Sequence, residues 1–166
     1  AWRISPIGVA GMLAVGGVSM LLAAFTPIHI TAAGFTQQEI ALLLAAMPVG
    51  TLLLQYPFGW LSDRTDRRLV LAAVSLVVAL VGMVAIRLDD APLAVMMLVY
   101  LVWAGTGESI YALSAAHAID RAEKDDLVAL SSTLLLVWSI SGFVFPGVGT
   151  VLTALYGTKA FMAIVV

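Results

Sequence analysis

Gly59-Trp60-Leu61-Ser62-Asp63-Arg64-Thr65-Asp66-Arg67-Arg68 separates two long apolar runs, and the nature of those runs decides the fold. The stretch holds three arginines and two aspartates, so it belongs in water or among lipid headgroups. The runs on either side, 37–60 and 69–86, are each close to the roughly 20 residues that cross the hydrocarbon of a bilayer as a helix. Within the stretch each residue type has a physical use. Gly59 lets a helix end approach a neighbour, the Asp63 carboxylate suits a facing helix terminus, and Arg64, Arg67 and Arg68 pair with it and anchor at the headgroups. The bland reading is an ordinary basic loop on the cytoplasmic side, but basic loops are common and this order and position are not.

Composition extends the membrane reading to the whole chain. Hydrophobic residues occupy 62% of the 166 positions and charged residues 11%, against about half and a quarter in soluble domains. A water-soluble chain of this size has no core large enough to hide so much Leu, Val and Ala. The eight Lys and Arg are scattered among loops and the net charge is −2, which excludes a nucleic-acid partner. With no cysteine, disulfides and thiolate metal sites are excluded. No cofactor motif is visible, and His29 and His117 lie near opposite ends of their spans, so neither a cofactor nor a metal site is expected.

The expected architecture is all-α and integral to the membrane, with spans at about 7–28, 37–60, 69–86, 93–117 and 127–155. A truncated sixth begins at 160–166. Together they form a single transmembrane half-domain over 1–166. Thr36 and Glu39 form a capping-box pattern at the start of the second span. Pro48 and Pro57 are expected to kink that span, and Pro146 to break the fifth. Asp90 is a candidate cap for the fourth span, with Pro92 in its first turn. Small residues are spread through the spans without a strict G-x-x-x-G pair, so packing is expected to be distributed. Six of the eight basic residues, Arg3, Arg64, Arg67, Arg68, Arg121 and Lys124, fall on one side of the membrane and only Arg87 and Lys159 on the other. By the positive-inside rule the amino end is cytoplasmic. The chain opens on Ala1 and its last run is short, so it reads as a fragment.

The stretch 59–68, read as G-x-L-S-D-R-x-x-R-R, resembles the loop signature G-x-L-A/S-D-R-x-G-R-R of the major facilitator superfamily, with Asp66 where that family has Gly. Gln55-Tyr56-Pro57, Ile110 to Leu113 ahead of Asp120, and Ser139 to Pro146 are similar to helices seven to twelve of its bacterial YcaD-like branch. The resemblance implies the carboxy-terminal half of a twelve-helix protein of the inner membrane, built as a 3+3 inverted repeat, with the amino-terminal half as its missing partner. It also implies a gating role for Gly59, Asp63, Arg64, Arg67 and Arg68.

Glu108 is the one acid well inside a span, about 22 Å along the fourth span from Leu93. A charge at that depth costs several kcal/mol unless it is paired, hydrated or neutralised. Helical spacing puts Tyr100, Trp103 or Ala104, Gly107, Glu108, Tyr111 and Ser114 on one stripe. Thr51 and Gln55 form a similar stripe on the second span, and Ser131, Trp138, Ser139 and Gly142 another on the fifth. Glu108, Tyr111, Tyr100, Gln55 and Thr51 are therefore the candidate proton or substrate site. A protonated structural hydrogen-bonder and a side chain snorkelling to water are the competing readings of Glu108, and simple helix packing that of the others. The implied function is secondary transport of a small solute or drug by alternating access with proton coupling. A non-transporting membrane anchor or interaction subunit is the alternative. No phosphate loop, G-x-S-x-G or H-E-x-x-H occurs, so no enzyme is expected.

Overall fold

The computed structural model describes residues 2–88, 91–157 and 160–161. Among them are five helices long and apolar enough to cross a membrane, and no strand. They are α1 (Pro6–Ala32), α2 (Gln37–Ser62), α3 (Arg67–Ala85), α4 (Leu93–Ile119) and α5 (Leu127–Tyr156). The expected spans match these to within a few residues. Of the truncated sixth span, only 160 and 161 are among the described residues, and the Asp90 cap lies outside them.

The helix ends follow from local chemistry. Ser5 caps α1, its Oγ accepting from the Gly8 N–H at 3.1 Å, and Pro6 opens the helix where a missing N–H does no harm. At the other end Gly34 takes φ +89°. Its N–H donates to the Thr31 carbonyl and that of Phe35 to the Ile30 carbonyl, a Schellman closure that glycine makes inexpensive. Two residues later Thr36 and Glu39 form the expected capping box. The fourth helix differs from expectation, because Pro92 is its N-cap residue rather than part of its first turn.

Proline placement is where the expected boundaries need correction. The first helix does not stop near Pro27 but continues to Ala32, and α5 is unbroken through Pro146. A proline removes one backbone hydrogen bond, and helices of 27 and 30 residues keep the remainder where lipid offers no alternative partner.

Helix α4 is the centre of the bundle. It packs against α2, α3 and α1, while α5 leans mainly on α1. Half of α4's apolar stretch is buried within the bundle, against 17% in α2 and α5, so α2 and α5 carry the outward apolar faces. Close packing is distributed along the helices, as the scattered glycines indicated, with approaches from Gly8 to Gly149. A Cβ at Gly50 would collide with the Leu101 carbonyl, and one at Gly105 with the Gly50 carbonyl. The α1–α5 crossing repeats the device, with Gly16 against the Trp138 carbonyl and Ser141 Oγ donating to the Leu13 carbonyl. Helices α1 and α4 run antiparallel, since Gly8 meets Ala118 and Gly11 meets Ser114.

Two glycines two residues apart in α4, Gly105 and Gly107, separate packing from vacancy. A Cβ at Gly107 would meet nothing within 4 Å. Gly105→Ala is expected to destabilise the protein by about 1–3 kcal/mol, the usual cost of overpacking, whereas Gly107→Ala leaves stability unchanged or slightly raised. Equilibrium unfolding in mixed micelles distinguishes the two.

Candidate functional site

The arginine-bearing stretch joins three helix ends. Asp63 is the C-cap residue of α2 and Asp120 that of α4. Arg67, in the first turn of α3, reaches both: its Nη2 lies 3.2 Å from Asp63 Oδ1 and its Nε 3.2 Å from Asp120 Oδ2. Both aspartates are more than half exposed, and such pairs contribute about 0–1 kcal/mol each. The bridge therefore sets the relative position of α2, α3 and α4 more than it stabilises them.

The other members of the stretch depart from expectation. Among the described residues only Arg67 pairs with Asp63. The Arg64 guanidinium instead lies over the Trp60 ring, 4.0 Å from its centroid, and Arg68 is exposed beside a groove between α1 and α3. Gly59 approaches no neighbour, since a Cβ there would meet nothing within 4 Å. Asp66, where the resembled signature has Gly, is the N-cap of α3, its Oδ1 accepting from the Arg68 N–H at 2.9 Å. It satisfies an otherwise orphaned backbone donor and sets a negative charge against the helix dipole beside two arginines.

Deeper in the bundle, a cavity of about 270 Å³ opens between α1, α2 and α4. Glu108 and Thr51 both line it, together with Ser19, Met20, Met47 and Gly107. The Ser19 hydroxyl donates to Glu108 Oε1, so the carboxyl is held from α1 rather than by tyrosines of its own helix. Half of the serines and threonines in these helices bond back to a carbonyl of their own helix, as Thr106 does to Val102 and Ser109 to Gly105. Ser19 and Ser141 instead reach across to another helix.

The remaining candidates are not brought to the cavity. Tyr100 is 1% exposed, its ring centroid 5.7 Å from that of Trp103, which makes it core. Tyr111 turns towards α5, edge-on to Trp138 at 6.5 Å. Gln55, one turn beyond Thr51, does not line the cavity. The α5 stripe also fails to line it: Gly142 packs on Met20, and Ser139 bonds to the Leu135 carbonyl. Single-helix spacing groups residues by angle, whereas the cavity takes only those left uncovered by neighbouring helices. The two histidines are buried near the ends of their helices. His29 packs against Phe161 and His117 is 5% exposed at the end of α4.

Two features escaped the sequence reading. Ser19 lies in an apolar run where a lone serine carries no signal, and Asp120 reads only as part of a charged loop.

The match to the Major Facilitator Superfamily model covers residues 7–166. The chain belongs to the major facilitator superfamily. It is 29% identical over 144 residues to an uncharacterised MFS-type transporter of Enterobacter sp. (strain 638), covering 87% of this chain and 36% of that protein. It is 27% identical over 154 residues to the uncharacterised MFS-type transporter YcaD of Salmonella paratyphi B and of Salmonella newport, covering 93% of this chain and 39% of theirs. The chain thus spans less than two fifths of the length of these curated relatives. No solved structure matches it.

Asp66 gives this member of the superfamily a cap that glycine would supply less well. Asp66→Ala is expected to cost about 1 kcal/mol of stability and Asp66→Asn much less. Denaturant titration of the three proteins tests the assignment.

Proposed function

We propose that the chain is the carboxy-terminal half of a proton-coupled secondary transporter that moves a small solute by alternating access, and that Glu108 is its coupling carboxyl. The observation that carries this reading is the half-buried Glu108 in a cavity, held by a neutral hydroxyl and with no basic residue at its depth among the described residues. Such a group is costly to keep charged in a membrane, and loading it with a proton or a ligand relieves that cost. Membership of a transporter superfamily supports the same reading over a passive anchor or an enzyme.

In this proposal the substrate site lies between this half and an amino-terminal one, and rocking of the halves exposes it to each side in turn. The like packing of α2 on α4 and of α5 on α1, each across a glycine, supports a 3+3 inverted repeat. The outward apolar faces of α2 and α5 then meet the other half, and the remaining surface meets lipid. The arginine end is cytoplasmic, because six of eight basic residues fall on that side, and the membrane is the bacterial inner membrane. Asp63, Arg64, Arg67 and Arg68 gate that end. The Arg67 bridge has to be remade whenever the ends of α2, α3 and α4 move relative to one another.

Glu108→Gln in the complete polypeptide is expected to abolish proton-driven uptake into vesicles while the protein remains folded and membrane-inserted. Uptake that is unchanged across pH in that variant removes the coupling role, and a change in stability alone favours the anchor.

A further inference from the structure

The chemistry of the Glu108 cavity restricts what can occupy it. Its walls are mostly hydrocarbon, from Val18, Met20 and Leu22 of α1, Met47 and Pro48 of α2, and Ala104 of α4. The polar groups among its lining side chains are the Ser19 hydroxyl, the Thr51 hydroxyl and the Glu108 carboxyl. Thr51 is turned back on its own helix, its Oγ1 donating to the Met47 carbonyl at 3.4 Å. Helices α1 and α4 are each 27 residues long, and Ser19 and Glu108 sit near the middle of each. Their contact is therefore about 20 Å from either end of the bundle. Among the described residues every Lys and Arg lies in a loop or within the first turn of a helix, so none of these reaches that depth.

A carboxyl so placed has one inexpensive counter-ion, which is a cation brought by the ligand. We infer that the cavity binds a small monovalent organic ammonium carrying an apolar body, and that the Ser19–Glu108 hydrogen bond is the latch this ligand displaces. The inference rests on reading the cavity as the transport site and adds the class of its substrate. An N–H of the ammonium donates to Glu108 in place of Ser19, and the change from neutral hydroxyl to charged donor strengthens the bond. The ligand body takes the hydrocarbon wall, where the thioethers of Met20 and Met47 suit an aromatic ring. This half's share of the site, about 270 Å³, is enough for a body of one ring, since whole drug-sized sites take roughly 300–1,000 Å³. Anions meet like charge. Neutral alcohols replace Ser19 with nothing stronger. Release of Ser19 also frees α1 from α4 at mid-depth, so loading the site and loosening the helix pair are one event.

The test uses the complete polypeptide, purified in detergent and without a gradient, with phenethylammonium as the probe. The controls are 2-phenylethanol and phenylacetate, which have a similar apolar body and a neutral or negative head. The expected result is that phenethylammonium binds about tenfold or more tightly than either control, the margin a charge-assisted bond supplies. Glu108→Gln removes that margin, and Glu108→Asp retains part of it. Ser19→Ala binds the amine at least as tightly as the unaltered protein, because no latch has to open. Unfolding transitions show that each variant is folded. Binding of the alcohol or the carboxylate as tightly as the amine overturns the inference, as does amine binding that Glu108→Gln leaves intact. Loss of amine binding in Ser19→Ala overturns the latch. If Glu108→Gln abolishes proton-driven uptake but no amine preference exists, the substrate class is overturned and the transport reading stands. If the preference exists but no flux is found, the site stands and the transport reading falls.

Discussion

Helix α4 takes three neighbours because its middle, Ala104-Gly105-Thr106-Gly107, carries almost no side-chain bulk. At Gly105 the backbone of α2 comes close enough for a carbonyl to occupy the space of a Cβ. Lipid tails are as apolar as leucine, so helices in a membrane gain little from hiding hydrocarbon and associate where surfaces meet closely. The Gly50–Gly105 crossing supplies that contact, and Gly16 against Trp138 supplies its counterpart between α1 and α5. The remaining geometry depends on these two crossings. The first sets α2 against α4, Gly8 on Ala118 and Gly11 on Ser114 set α1 against it, and the space left between the three is the cavity that Glu108 enters.

The same helices are tied at one end by charge. Arg67 bridges the ends of α2 and α4 from the start of α3, a contact too exposed to stabilise much but well placed to register movement. Close packing at mid-depth and a weak ionic bridge at the rim are complementary devices. The first resists sliding of one helix along another, and the second ties the helix ends only weakly. Asp66 belongs to this arrangement through its side chain, since its carboxylate caps α3 and so fixes where that helix, and Arg67 with it, begins.

Much of this was legible in the sequence because membrane helices are constrained by length and polarity more than by partners. Hydrocarbon thickness limits each span, and backbone groups that lack water must bond within their own helix. Thr36 with Glu39, and Gly34 after a long apolar run, announced helix ends by local chemistry alone. Prolines misled for the same reason: in water Pro27 and Pro146 would stop a helix, but in lipid an ended helix strands more backbone groups than a proline does.

The sequence by itself determined the class of protein, the number and extent of its described spans, the arginine-bearing signature and the isolation of Glu108 from any basic residue. These are properties of the chain's own order, readable at one helix or one loop at a time. Only the tertiary structure decided which polar residues share a space. It took Tyr100 into the core, turned Tyr111 to Trp138, left Gln55 outside and brought Ser19 from a helix 89 residues away in sequence to Glu108. The physical reason is that a helical stripe specifies an angle around one axis. What that angle faces is set by where neighbouring helices cross, and those crossings depend on pairs of small residues from different parts of the chain.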